Sequence, residues 1–322
     1  MPRLPAVYFP NARRFVAAVN LLKLRHLAEY LAVRVFVCIV QMLRLETCAA
    51  LAKPLARLFT DVFPVRKAVI EENFGIAFPH WTAGQKHRCR LAMWEHLFLF
   101  IAEVAHAPRR IHITNYRQYI DFQNRDIFAD VMFSPRGVVF VTAHFGVFEI
   151  LGFNSGLTGF PTYSVARTLD NPYLEAFIGR FRGATGQHLI AKDGGSERLL
   201  EVLGQGGIVG VLADQHGGKK GCWIKFFGKE ASAHKAIALL SLMNDVPLCV
   251  VSCRRTAGPL RFQQRVHAVF DPRTAPPEMQ NVTAVTQWFT SEFEKFIAET
   301  PEQYWWLHKR WKDHRKKKAV AV

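Results

Sequence analysis

Near the middle of its 322 residues the chain reads Gly137-Val138-Val139-Phe140-Val141-Thr142-Ala143-His144-Phe145-Gly146-Val147-Phe148-Glu149-Ile150-Leu151. Residues 138–141 are all apolar, which predicts a short buried strand, whereas the end of the stretch has the composition of a helix start. Gly146 allows the backbone to turn tightly between the two. We therefore predict a strand-to-helix turn in which His144 closes the strand and Glu149 begins the helix.

This turn carries a candidate acid–base pair. Four residues separate His144 from Glu149, and on one continuous helix their side chains would point roughly 140° apart. A turn pairs them better than a helix does. A carboxylate beside a histidine fixes the tautomer of the ring and stabilises its charged form, which suits a general base. The spacing alone leaves a second interpretation open, a buried histidine with a purely structural hydrogen bond.

Short apolar runs alternate with stretches of helical period along the rest of the chain. An amphipathic helix is predicted at residues 87–106. Further strands are predicted at residues 162–166, 188–191, 208–213, 247–253 and 261–270. Helices are predicted at about 147–156, 172–184, 196–203, 233–244 and 279–298. Strands separated by helices of this length predict an α/β fold, an αβα sandwich around a largely parallel sheet.

The N-terminal part of the chain raises the question of a membrane. Residues 27–45 are mostly apolar, but Glu29 and Arg34 interrupt them, and the longest uncharged run is 35–43. A bilayer needs about 20 apolar residues, so this run is too short to cross one. Flanked by basic residues, it suits a helix in the membrane interface or a hydrophobic docking helix; an ordinary packed helix stays open. We assign three regions: an N-terminal helical membrane-associating segment at 1–60, a main domain at 61–312 and a basic tail at 313–322.

The composition of the chain limits the classes of partner that it can bind and indicates the compartment in which it lies. A net charge of +16 indicates an anionic partner, which could be nucleic acid, an acidic membrane surface or a phosphorylated substrate. The chain has none of the usual nucleic-acid-binding signatures, so no nucleic acid is expected. Its six cysteines form no C-x-x-C pair, which favours a reducing compartment. No secretory signal is recognisable at its start.

Three arginines downstream of the turn form a candidate anion clamp. Arg167 follows the strand predicted at 162–166, and Arg180 and Arg182 end a helix that opens with Asn171 as its cap. The guanidinium group donates bidentately to phosphate and carboxylate. Together the three could hold an anionic group, although each alone is typical of a solvated surface.

Asp214 follows another buried strand, at the end where open α/β sheets bind their ligands. Asp214 and His216 have no third ligand at a recognisable spacing, so no metal site is expected. The glycines at 204–210 and 217–221 lack the context of a nucleotide loop, and no G-x-S-x-G elbow is present. A base without an enzymic nucleophile indicates that the substrate supplies the attacking group.

Four ordered blocks together resemble the bacterial lipid A biosynthesis acyltransferases, within the wider glycerolipid and lysophospholipid acyltransferase group. The family's His-x4-Glu/Asp motif corresponds to His144 and Glu149. The later blocks correspond to Arg167 with Asn171-Pro172 and Gly179-Arg180-Phe181-Arg182, to Asp214-Gln215-His216 with Phe226-Phe227-Gly228, and to residues 301–311. His216 stands where the family has a second aspartate, and the N-terminal segment is more polar than the family's membrane anchor.

The resemblance implies an acyltransferase domain at 61–312 with the family's mixed, largely parallel sheet. It implies transfer of a fatty acyl chain from a thioester, on acyl carrier protein, to a hydroxyl of an anionic lipid such as a lipid A precursor, without a further cofactor. His144 would act as base and Glu149 would orient it. Asp214 and Arg180 would serve acceptor binding and site architecture, and Arg167 and Arg182 would contact phosphate. The location implied is the cytoplasmic face of the inner membrane, with peripheral or N-terminal attachment.

Two alternatives remain at this stage. The acceptor could be a lysophospholipid, an amino-acid lipid or a glycolipid, with acyl carrier protein or coenzyme A as the carrier of the acyl chain. The chain could instead be a non-catalytic basic protein that binds membranes or nucleic acid, since a strongly positive charge suits both partners.

Overall fold

The computed structural model of this protein describes residues 12–192 and 194–313. The α-helices in these residues are α1 (Ala12–Met42), α2 (Leu45–Arg57), α3 (Lys67–Ala77), α4 (Ala83–Arg110), α5 (Arg125–Met132), α6 (Glu149–Leu157), α7 (Pro172–Gly183), α8 (Ser196–Gly204), α9 (Ala236–Asn244) and α10 (Val282–Glu299). The strands are β1 (Ile120–Gln123), β2 (Val138–Thr142), β3 (Thr162–Ala166), β4 (Gln187–Ala191), β5 (Ile208–Leu212), β6 (Cys222–Phe226), β7 (Lys229–Ala233), β8 (Leu248–Arg255) and β9 (Phe262–Phe270).

Seven of the strands form one sheet in the order β1-β9-β8-β2-β5-β3-β4. Neighbouring strands are parallel except for β8 and β9, which pair antiparallel. All five residues of β2 are buried, as is typical of a strand covered on both faces. The predicted α/β fold with a mixed, largely parallel sheet is confirmed, and β2 lies at its centre.

Helices cover both faces of this sheet. Val139 and Val141 of β2 face a large core cluster that includes Phe289 and Phe293 of α10. Phe140 faces the other side, where it packs in a cluster with Val251 and Val266. Side chains alternate along a strand, so one apolar run supplies both layers of the core.

Most predicted elements agree with the structure to within a few residues. The predicted cap of α7 is confirmed, because the Asn171 side chain accepts hydrogen bonds from the backbone of Tyr173 and Leu174. Strand β1 was not predicted, since its four residues alternate in burial and lie at a sheet edge. The β6–β7 hairpin was missed as well. Its turn, Phe227-Gly228, has two positive φ angles, 48° and 72°, a geometry in which glycine is common and phenylalanine is not.

The N-terminal helices leave much apolar surface open. Helix α2 packs against α4 through Cys48 and Ala52. The outward side of α1 exposes Val35, Phe36 and Ile39 among others. Taken singly, none of the described helices has the length and apolar character to cross a bilayer. Leu21–Met42 and Leu45–Val62 meet that requirement only as a pair, with a bend of 118° between them.

The three predicted regions differ in how far the structure describes them. The boundary at residue 60 falls within the π-helical turn Leu58–Val62, which continues α2, and it stays a prediction. Residues 314–322 of the predicted basic tail lie outside the described residues.

Candidate active site

His144 lies just beyond the carboxyl end of β2, beside a residue from the neighbouring strand. Strands β2 and β5 pair in parallel with Thr142 opposite Leu212. His144 and Asp214 each lie two residues beyond this pair, and they are therefore neighbours, with Nδ1 of the imidazole 2.7 Å from Oδ1 of the carboxylate. The Asp214 side chain is fully buried and that of His144 is 13% exposed.

This contact determines the chemistry of the ring. An ionised carboxylate only accepts hydrogen bonds, so Nδ1 carries the proton and Nε2 keeps its lone pair. Burial by itself would lower the pKa of His144, but the charge and hydrogen bond of Asp214, with a further contribution from Glu149, raise it above its ordinary value. Burial opposes ionisation of Asp214, yet His144 lowers the pKa of that carboxyl to about 2. The pair is suited to take up a proton at Nε2.

Glu149 makes no hydrogen bond to the ring in this structure, and its predicted orienting role stays a prediction. Its carboxylate instead accepts two hydrogen bonds from Arg182, at 3.0 Å from Nε and 2.5 Å from Nη2. Glu149 begins α6 and faces α7, whereas strand register brings Asp214 to the ring. A spacing along the chain cannot reveal a partner on a neighbouring strand. The charge of Glu149 nevertheless contributes to the raised pKa of His144.

The three predicted arginines do not share one partner. Arg182 is bound to Glu149 and is 23% exposed. Arg167 lies on the surface, 79% exposed, with Asp170 at 3.8 Å, and Arg180 is exposed as well. Only Arg182 therefore belongs to the immediate surroundings of the predicted pair.

The turn that bears His144 is held by backbone contacts from distant parts of the chain. The carbonyl of His144 accepts from Trp305 N at 3.0 Å, and Gly146 N donates to the Gln303 carbonyl at 2.9 Å. Gly146 has a φ of +59°, and a Cβ there would come within 2.0 Å of the Cys253 carbonyl oxygen. Only glycine fits this position.

Three side chains that the site prediction missed surround the imidazole. The ring of Trp305 lies 5.5 Å from that of His144, and the ring of His308 lies 5.0 Å from it. The amide nitrogen of Gln215 approaches His144 Nε2 to 3.5 Å. Burial, together with the charges of His144 and Arg66, lowers the pKa of His308 although Asp214 opposes this. The third and fourth blocks of the family resemblance contain all three residues, and that was the available signal.

A cleft with about 980 Å³ of empty space, part of it open solvent, is lined by residues that adjoin the pair in sequence, such as Thr142 and Leu212. Thr142, Phe148 and the Glu149–Arg182 ion pair line its wall on the side of His144. Apolar side chains line much of the remainder, among them Phe122, Phe128, Phe140, Leu151, Val251 and Val266. The lining of the cleft is mostly apolar, as that of small-molecule sites usually is.

No metal site was found in the part of the chain that the structure describes: no three His, Cys, Asp or Glu side chains converge there.

Known proteins resemble this chain over most of its length. The sequence profile of the family described as bacterial lipid A biosynthesis acyltransferase matches residues 18–313. The lipid A biosynthesis lauroyltransferase of Escherichia coli (strain K12) is 24% identical over 80% of this chain and 83% of its own. The lipid A biosynthesis palmitoleoyltransferase of the same organism is 23% identical over 77% and 79%.

A solved structure is also similar, the 1-acyl-sn-glycerophosphate (LPA) acyltransferase PlsC from Thermotoga maritima. It is 12% identical, with a TM-score of 0.37, over 81% of this chain and 99% of that chain. The family profile covers far more than half of the sequence and includes both members of the His144–Asp214 pair. The chain therefore belongs to the bacterial lipid A biosynthesis acyltransferase family and is an acyltransferase.

Proposed function

We propose that this acyltransferase moves a fatty acyl chain from an acyl carrier protein thioester to a hydroxyl of a lipid A precursor, with His144 as the general base. The observation that carries the proposal is the His144–Asp214 pair, whose Nδ1 contact of 2.7 Å leaves Nε2 as the basic atom. The family membership supplies the class of reaction. Asp214 takes the orienting role that the sequence interpretation gave to Glu149.

The reaction needs only groups that the chain and its two substrates supply. His144 Nε2 removes the proton of the acceptor hydroxyl while the oxygen attacks the thioester carbonyl carbon. A carbon–oxygen bond forms, the carbon–sulfur bond breaks, and the protonated ring returns its proton to the leaving thiolate. A positioned general base contributes about 10² to 10⁴ in rate. The negative charge of Asp214 stabilises the ring while it is protonated.

The cleft beside the pair is our proposed site for the acyl chain. Its apolar lining, including Phe128, Phe140 and Val266, matches an alkyl chain, which gains about 0.8 kcal/mol for each CH₂ removed from water. The Glu149–Arg182 ion pair lies at the same cleft. Both of its charges are already paired there, so we assign it to shaping the cleft entrance and not to holding the phosphate of the acceptor.

The bent helix pair at the N-terminus supports attachment to a membrane. It exposes large apolar side chains, including Leu31, Phe36 and Ile39, and exposed apolar patches commonly mark sites that bind a membrane or a protein. The net charge of +16 favours an anionic inner-membrane leaflet and an acidic carrier protein. We therefore place the enzyme at the cytoplasmic face of the inner membrane, held there through α1 and α2.

The test is an acyl-transfer assay with purified wild type and His144→Ala. The donors are acyl carrier protein and coenzyme A thioesters, and the acceptors are a lipid A precursor, a lysophospholipid and a glycolipid, with products measured by mass. We expect acylated lipid A precursor from the carrier protein donor with wild type and a loss of about 10² to 10⁴ in rate with the variant.

His80→Ala provides the matched control, since His80 is exposed and outside the site. It should retain wild-type activity. If the wild type acylates only another acceptor, that acceptor takes the place of the lipid A precursor in the proposal. If His144→Ala keeps wild-type activity, His144 is not the general base.

A further inference from the structure

A buried charged cluster lies behind the catalytic turn. Glu103 of α4 is fully buried and forms a bidentate ion pair with Arg255 at the end of β8, with Nε of the arginine 2.8 Å from Oε1. Nη1 of Arg255 lies 2.7 Å from Nδ1 of His96. His96 is 4% exposed, and its Nε2 lies 3.1 Å from the carbonyl oxygen of Gly146. The cluster thus reaches the turn two residues beyond His144.

The hydrogen bonds of this cluster have only one consistent direction. Arginine donates and never accepts, so Nδ1 of His96 is the acceptor and Nε2 carries the proton. His96 therefore donates to the Gly146 carbonyl. Protonation of Nδ1 would break the contact with Arg255. Burial and the charge of Arg255 both keep the pKa of His96 well below its ordinary value.

A second connection runs from Arg255 to the same turn. The side-chain amide of Gln303 pairs with the Arg255 backbone in both directions, at 2.9 Å and 2.8 Å. The backbone carbonyl of Gln303 accepts from Gly146 N. The Gly146 carbonyl is therefore bound by a residue that contacts the Arg255 guanidinium, and Gly146 N by a residue that pairs with the Arg255 backbone.

Stability alone gives no reason for this arrangement. Taking two charges out of water costs several kcal/mol per ion, and apolar replacements of buried ion pairs are often neutral or stabilising. Glu103 lies near the apolar cluster of Phe100, Val147 and Leu260, and it accepts a hydrogen bond from Leu260 N at 2.9 Å. A directional network, in contrast with apolar packing, can fix the orientation of one carbonyl group.

We propose that Glu103, Arg255 and His96 form a positioning relay that fixes the Gly146 carbonyl and thereby holds the His144 ring against Asp214. The three residues touch no substrate; they act through the turn. The kinetic part of this proposal rests on the proposed function of His144, whereas the geometric part does not.

Two substitutions of similar chemistry separate the functions of the two His96 nitrogens. In His96→Gln the amide nitrogen takes the place of Nε2 and still donates to Gly146. In His96→Asn the shorter amide can still accept from Arg255 but does not reach Gly146. We expect kcat within about threefold of wild type for His96→Gln. For His96→Asn we expect a fall of up to about 10²-fold with KM unchanged, because a small misplacement of a catalytic group costs that much.

Arg255→Lys is the second variant. A lysine keeps the positive charge beside Glu103, but its single ammonium cannot serve both the carboxylate and His96 in the arginine's geometry. We expect a fall in kcat similar to that of His96→Asn. Wild-type kcat in Arg255→Lys or in His96→Asn would overturn the relay. The relay would also be overturned if the loss of kcat in both His96→Gln and His96→Asn were proportional to the loss of thermal stability in the same variant.

An NMR titration of labelled histidines gives a readout that does not depend on turnover. The titratable neighbours that act on His144, namely Asp214, Glu149 and His308, are unchanged in all variants. We expect the raised pKa of His144 to persist in His96→Gln and to move toward its ordinary value in His96→Asn. Equal titration in both overturns the relay. A wild-type protein that transfers no acyl chain overturns only the proposed function, because this titration still decides the relay.

Discussion

The region at the carboxyl edge of the sheet and the N-terminal helix pair are unusual in opposite ways. The first buries charged side chains, and the second exposes large apolar ones. At and behind the sheet edge, charged groups are buried, with Asp214 after β5 at 2% exposed and Glu103 of α4 at 0%. On the helix pair, large apolar groups face outward, with Met42 at 83% and Phe36 at 50% exposed. Buried charge and exposed apolar surface both cost free energy unless something compensates for them.

The compensation differs between these two regions. The buried charges have partners within the chain, since Asp214 has His144 and Glu103 has Arg255. The outward apolar groups of α1 have their partner, in our proposal, in the lipid surface. Chemistry and attachment should therefore respond to different substitutions, and four experiments test that separation.

The largest effect is expected from removing the base. His144→Gln keeps a polar side chain but provides no basic nitrogen, so kcat should fall by about 10² to 10⁴. Binding to vesicles of anionic lipid should stay at the wild-type level, because His144 is mostly buried and is not one of the apolar side chains that α1 exposes. Both quantities are measured on the same preparation. A joint loss of activity and vesicle binding would break the separation.

Asp214→Asn should lower kcat by up to about 10⁴, because an amide no longer fixes the productive tautomer. The pH profile gives the sharper measurement. Activity of the wild type requires neutral His144, so kcat/KM should fall as the pH drops through the raised pKa of that ring. Without the carboxylate charge the pKa decreases, and the acid limb should move to lower pH. An acid limb that stays in place would separate Asp214 from the base.

The helix pair is tested with Phe36→Ser combined with Ile39→Ser. Each loses roughly 1.5 kcal/mol of apolar burial in lipid, so vesicle binding should weaken by about a hundredfold for the pair. Turnover of a short, soluble acceptor should stay unchanged. Met243→Ser, at a residue 78% exposed on α9, is the matched control and should bind vesicles like wild type. Equal weakening by the control would contradict attachment through α1.

The smallest effect is expected at the ion pair of the cleft. Glu149→Gln leaves Arg182 without its charged partner and removes a contribution that raises the pKa of His144. We expect kcat to fall by about tenfold and the acid limb to move slightly to lower pH. A loss as large as that of His144→Gln would show that Glu149 takes part in the reaction directly.

The site at the sheet edge shows which features the sequence predicts and which it does not. The buried strand β2 and the turn after it were predicted correctly, because an apolar run followed by glycine is a local signal. The partner of His144 was not, because Asp214 lies on another strand and only register brings the two together. Arg182 was predicted to contact phosphate, yet it binds Glu149 across two helices. The spacing of residues along the sequence does not show which distant segments are in contact in the fold.

The backbone contact between Trp305 and His144 also has a consequence for the order of folding. The turn after β2 receives its hydrogen bonds from Gln303 and Trp305, which are synthesised long after it. Contacts so distant along the chain form late, since the intervening loop must first close. A nascent chain halted before residue 303 would hold a complete β2 but an unsupported turn. Acyl transfer is therefore expected only after almost all of the described chain has been made.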